Sequence, residues 1–132
     1  MKTKTREFIL AAAFVMFVLA VATTARAQTT VDECISRIVV VHGDLDTVNI
    51  GGRNSSQTYD SLSSKLQGAI RKLGEEKNTD ALQKLQDFKT AVEAMAGARK
   101  PKLSASDADL LLNGAAGDDG VNGAIACVAL LP

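Results

Sequence analysis

The chain has 132 residues, 46% hydrophobic and 4% aromatic, with 15 basic and 15 acidic residues in formal balance. That length fits one domain. The even charge speaks against a nucleic-acid binder, which needs a concentrated basic face. The shortage of rings speaks against a sugar or single-strand surface built on aromatic stacking.

The first 27 residues have the layout of a secretory leader. Lys2, Lys4 and Arg6 open it, an apolar run spans Phe8 to Ala22, and Ala25-Arg26-Ala27 places small residues before a cut ahead of Gln28. The run falls short of the roughly 20 apolar residues of a comfortable membrane span. No later stretch is long and apolar enough to span. The expectation is a leader over 1–27 and a single domain over 28–132, exported to the periplasm or medium of a bacterium. The leader takes four basic residues and one acidic. From 15 of each, 11 basic and 14 acidic remain, a formal net of −3. An oxidising compartment lets Cys34 and Cys127 form one disulfide.

Four helical segments follow, and none shows strand alternation. The first covers Thr30 to about Val41, with Cys34, Ile38 and Val41 at helical spacing and Asp32 and Glu33 in the first turn. Its β-branched run Ile38 to Val41 makes a short strand the competing reading. Residues His42 to Asn54 read as a break, rich in the turn-formers Gly43, Asp44, Asp46, Asn49, Gly51 and Gly52. Val48 and Ile50 would pin this loop to the core.

The second helix runs from about Ser56 to Gly74, with the stripe Tyr59, Leu62, Leu66, Ala69 or Ile70, and Leu73, and Gly74 as its stop. The third runs from Thr79 to about Ala96, capped by Asn78 or Thr79, with Leu82, Leu85, Phe88 or Lys89, Val92 and Met95 as its stripe. So short a connection predicts an antiparallel hairpin. Pro101 breaks the basic connector Arg99 to Lys102. Ser104 and Asp107 then form a capping box for a fourth helix, whose glycines at 114, 117, 120 and 123 predict a kink or a split. Val121, Ile125, Val128 and Leu131 resume an apolar face. The whole reads as all-α, an up-down four-helix bundle around a central antiparallel hairpin, closed by one disulfide. In that layout Cys34 and Cys127 lie at the same end.

From Asn49 onward the residues resemble the FIMAH domain, a small helical module of secreted bacterial proteins. The matching positions are Asn49 to Gly52, Ser61-Leu62, Lys65-Leu66, Ala69 and Leu73. They continue through Asn78-Thr79, Ala81, Leu85, Phe88, Val92, Gly97, Leu103, Asp107-Ala108, Leu111 and Ile125. The sequence departs from the family at Lys89, where an aliphatic residue is usual, and in the Gly-Asp-Asp-Gly insert at 117–120. The resemblance implies a helical accessory module without a catalytic site to carry over.

Candidate chemistry is sparse. His42 is the single histidine, and a nucleophile–base pair would need it beside a serine or acid such as Ser36 or Asp44. A histidine at a helix end is the simpler reading. Asp44, Asp46, Asn49 and Gly51, or Asp118, Asp119 and Asn122, offer oxygens without the spacing of a calcium loop. The acids Glu75, Glu76, Asp107 and Asp109 read as solvated helix-end charge rather than a glycosidase pair. Cys34 and Cys127 lack further ligands for zinc. Arg99, Lys100 and Lys102, and Arg71, Lys72 and Lys77, read as two separate basic surfaces at opposite ends of the third helix. No cofactor is expected.

The function expected is therefore a non-catalytic exported module that binds an envelope polymer or a secreted protein. The alternative is a small disulfide-tied inhibitor of a secreted enzyme, by fold analogy with four-helix invertase and pectinesterase inhibitors.

Overall fold

A computed structural model describes residues 29–115 and 120–132. The expected leader over 1–27 and the Asp118-Asp119 pair lie outside the described residues. Among those described there are five helices and no strand: α1 Val31–Thr47, α2 Ser55–Gly74, α3 Asn78–Gly97, α4 Ala105–Asn113 and α5 Val121–Ala129.

Helix α1 begins at a side-chain cap, the Thr30 hydroxyl accepting from the Glu33 N–H at 3.2 Å. It does not stop at Val41. It continues six residues further, through the stretch whose composition reads as a loop. Leu45 explains the difference. It extends the row Cys34, Ile38, Val41 by one more turn and is buried with them. Burying a leucine is worth about 1.5–3 kcal/mol, enough to offset the roughly 2 kcal/mol that Gly43 and the two aspartates cost in propensity. The β-branched run is helical, not a strand.

Helix α3 runs back along α2. Lys72 near the end of α2 pairs with Asp80 in the first turn of α3 at 3.8 Å. Midway, a Cβ at Gly68 would touch the Lys84 stem. Ser61 and Leu62 near the start of α2 share a cavity with Ala91 and Met95 near the end of α3. Helix α2 ends at Gly74, as its sequence predicts, but that glycine is not the left-handed residue of the connector. The connector is a Schellman turn whose left-handed residue is Glu76, at φ 60°. The Lys77 N–H bonds the Lys72 carbonyl at 2.9 Å, and the Glu76 N–H bonds that of Leu73 at 3.1 Å. Lys77 leaves this turn directly as the α3 N-cap, without a side-chain bond. Asn78 is thus not the cap, and its amide donates to the Pro132 carbonyl at 3.1 Å.

The loop before α2 is fastened to the connector before α4. The Gly51 N–H bonds the Lys102 carbonyl at 2.8 Å, and the Asn49 N–H reaches the Asp107 carboxylate at 3.3 Å. Val48 and Ile50 pack against the core beside these bonds. Ser104 caps α4 by accepting from the Asp107 N–H at 3.0 Å. The Asp107 side chain goes to Asn49 instead of closing the capping box.

The glycine-rich stretch divides the last apolar segment into α4 and α5. Gly114 ends α4 at φ 72°, ψ 171°, a conformation open only to glycine. Gly120 lies so close to the end of α4 that a Cβ would overlap the backbone of Leu112 and Asn113.

Helix α1 packs against α2, α4 and α5, and α3 packs against the same three. Phe88 is fully buried, as are Ile38, Leu45, Leu66, Leu85, Leu103 and Leu111. The disulfide Cys34–Cys127 ties α1 to α5 with a Cα–Cα distance of 5.5 Å, across 93 residues of sequence. Closing so long a loop stabilises the fold by about 4–5 kcal/mol in the chain-entropy account.

Candidate functional site

Two features of α1 could carry function. The first faces α2. His42 and Asp46 are one turn apart and point along the same side of α1. The His42 Nε2 lies 2.8 Å from the Ser63 hydroxyl of α2, and its Nδ1 is 4.0 Å from the Asp46 carboxylate. Tyr59 of α2 donates its hydroxyl to the other Asp46 oxygen, and the Gln67 amide donates to Ser63 at 3.3 Å. The bond to Asp46 holds the Tyr59 hydroxyl above its ordinary pKa, with smaller contributions from desolvation and from the charges of Asp46 and Asp60.

Serine, histidine and aspartate in this order invite comparison with an acyl-transfer triad. Two of the geometric requirements are unmet. Ser63 is buried in the middle of α2, where the neighbouring backbone N–H groups are already spent on the helix and cannot form an oxyanion hole. The His42–Asp46 separation is beyond a hydrogen bond. The arrangement therefore serves as a polar tie between α1 and α2.

Neither Ser36 nor Asp44 is the partner of the His42 Nε2. Ser36 bonds the Asp32 carbonyl at 2.9 Å, and the serine that meets His42 is Ser63, 21 residues on. The signal for Ser63 was there to read. It sits among Tyr59, Leu62 and Leu66 on the buried stripe, where a hydroxyl needs a partner.

The second feature is a groove of about 280 Å³ between α1 and α5. Glu33 and Arg37 form one wall, Gly123 and Ala126 the other, with Thr29 and Leu130 at its end and Cys127 in its lining. A shallower hollow over Glu33, Arg37 and Val40 continues it along α1. Leu130 is 72% exposed, Val39 55% and Val40 48%, the most exposed large apolar residues described. A helix turns about 100° per residue, so Val39 and Val40 straddle the outward side of α1.

Asp44 and Asp46 are helical, and Asn49 is held through its backbone by Asp107. No group of three His, Cys, Asp or Glu that could hold a metal ion is present among the described residues. Asn122 donates to Asn113, which donates to Asp109 at 2.7 Å. Glu75 pairs with Lys77 at 3.2 Å, and that contact leads the causes holding its carboxyl below the usual range. The two basic surfaces sit at opposite ends of α3. Lys77 caps its start, while the Lys102 N–H bonds the Met95 carbonyl in its last turns. No described helix is long and apolar enough to cross a membrane.

No protein-family model, no curated protein and no solved structure matches the chain.

Proposed function

We propose that this chain is an exported, non-catalytic helical interaction module, and that the α1–α5 groove is its working surface. The observation that carries this reading is the placement of two exposed apolar side chains, Leu130 in a groove flanked by Gly123 and Ala126 and Val40 in the hollow that adjoins it along α1. Small residues let a partner backbone come close, and exposed apolar residues on a helix pair suit the apolar face of a partner helix. Glu33 and Arg37, paired with each other at 3.8 Å, put one charge of each sign on the groove wall.

On this reading α4 and α5 act together as the fourth rod of an up-down bundle. The module takes its place beside the FIMAH-like accessory domains of secreted proteins. The disulfide and the leader-like N-terminus support export to the periplasm or medium. A secreted protein is the favoured partner over an anionic polymer, because the groove carries balanced charge and apolar side chains.

The test is a pull-down from the native exported fraction, under non-reducing conditions, with the chain and its Val40→Asp and Leu130→Asp variants. Both positions are exposed, so the variants keep the fold. A partner retained by the unaltered chain and lost from both variants supports the reading. Retention of nothing, or equal retention by all three, overturns it.

A further inference from the structure

We infer that Asn122-Gly123 is a self-modifying site, at which the chain converts Asn122 to aspartate and isoaspartate through a cyclic imide. Two Asn-Gly pairs occur in the sequence, Asn113-Gly114 and Asn122-Gly123. In such a pair the glycine nitrogen attacks the asparagine Cγ, and glycine has no Cβ to hinder the approach. The N–Cγ bond forms, the Cγ–Nδ2 bond breaks, and Nδ2 leaves as ammonia with the proton that the glycine nitrogen gives up. Water then opens the imide. Opening at Cγ yields aspartate, and opening at the main-chain carbonyl yields isoaspartate.

The two pairs meet where α4 and α5 join, the Asn122 amide donating to the Asn113 Oδ1 at 3.0 Å, and the structure arms only one of them. At Asn113 the attacking N–H is already used, since Gly114 is buried and donates to the Leu110 carbonyl at 2.8 Å. The Asn113 side chain is held at both ends, by Asn122 and by the Asp109 carboxylate at 2.7 Å. At Asn122 the attacking N–H is unspent. The ladder of α5 begins with the Ala124 N–H bonding the Gly120 carbonyl at 3.1 Å. The Gly123 N–H therefore belongs to the first turn, whose donors have no partner within the helix, and Gly120 brings no side chain to cap it. Among the described residues the Asn122 side chain makes a single bond, and Asn122 and Gly123 are both half-buried, within reach of water. Fraying the first turn of a nine-residue helix gives the nitrogen its approach to Cγ. Asn113 must first shed the bonds to Leu110, Asp109 and Asn122.

Each conversion replaces the Asn122 donor with a carboxylate facing the Asn113 Oδ1, which loosens the strut between α4 and α5. Isoaspartate also adds a methylene to the main chain beside Gly123, in the wall of the α1–α5 groove. The test is peptide mapping by mass spectrometry during prolonged incubation of the full chain at physiological pH and temperature. One sample is kept in buffer with the disulfide intact, and a second in guanidinium chloride with the disulfide reduced. In buffer, Asn122 should convert about tenfold or more faster than Asn113, the ratio expected when the slower site gives up one or two more hydrogen bonds. In guanidinium chloride the two should convert at similar rates, because glycine follows both. There, where folding plays no part, Gly123→Ala should slow conversion at Asn122 and leave that at Asn113 as it was. Conversion at Asn113 as fast as at Asn122 in buffer overturns the inference. So does an Asn122 that stays intact in buffer over a period that converts the unfolded chain, or one that converts as fast in Gly123→Ala.

Discussion

The His42 imidazole nitrogen and the Ser63 hydroxyl meet at 2.8 Å, from the middle of α1 to the middle of α2. The pair sits beside the buried row Val41, Leu45, Leu62 and Leu66, so it fixes the register of two helices that apolar packing alone would let slide. Ser63→Ala removes one partner and leaves the imidazole nitrogen beside a methyl group. The expected cost is about 1 kcal/mol, read as a lower urea midpoint with an unchanged slope.

Tyr59 reports on the same cluster directly. It is the only tyrosine, and the chain has no tryptophan. Ultraviolet titration should find its ionisation above the ordinary value of 10.0, because the neutral hydroxyl donates to Asp46. Asp46→Asn should lower it. A raised folded-state pKa means stability that is complete below the unfolded pKa and fades as pH climbs through the folded one. Rising pH should therefore remove the stability of the Asp46–Tyr59 bond on the alkaline side, and Asp46→Asn should remove it at neutral pH as well.

Glu75 has the opposite sign. Lys77 holds its carboxyl below the ordinary 4.5. The stability it contributes is present above the unfolded pKa and lost as pH falls through the lowered one. Glu75→Gln should flatten the acid limb of the stability–pH curve and lower the plateau above it without changing the alkaline slope.

Glu76 occupies a left-handed conformation, at φ 60°, that glycine adopts freely. Glu76→Gly should raise stability by about 0.5–1 kcal/mol, measured by thermal or urea unfolding. Gly120→Ala should do the reverse. Its methyl group would enter the backbone of Leu112 and Asn113, and the expected loss is about 2–3 kcal/mol with α5 displaced from α4.

The disulfide gives a prediction of larger size. Replacing Cys34 and Cys127 together by alanine should cost up to about 4–5 kcal/mol by the chain-entropy account. The intact mass of the exported product should show a start at Gln28 and the loss of both thiol hydrogens.

Much of this architecture was legible beforehand, and particular residues show why. The α2–α3 hairpin was readable because Leu62, Leu66, Leu85 and Val92 keep strict helical spacing and only Glu75-Glu76-Lys77 separates the helices. The glycines of the last apolar segment announce an interruption there, without deciding between a kink and the split that α4 and α5 show. The end of α1 was not, because Gly43, Asp44 and Asp46 are weak helix formers and only the tertiary burial of Leu45 outweighs them. Glu76 escaped notice because a glycine stood two residues earlier, where such a stop usually falls. The His42–Ser63 contact joins residues 21 apart, and a helical stripe says which side chains turn inward without saying which polar pairs meet. The grooves were out of reach for the same reason, since they arise where separate helices meet.

The most direct test of the account is site-specific photo-crosslinking in the native exported fraction. A photoreactive side chain is placed at Leu130 in the groove and, separately, at Gln86 on the exposed side of α3. The account predicts a discrete protein adduct from position 130 and none from position 86. The same adducts from both positions, or none from position 130, would contradict it.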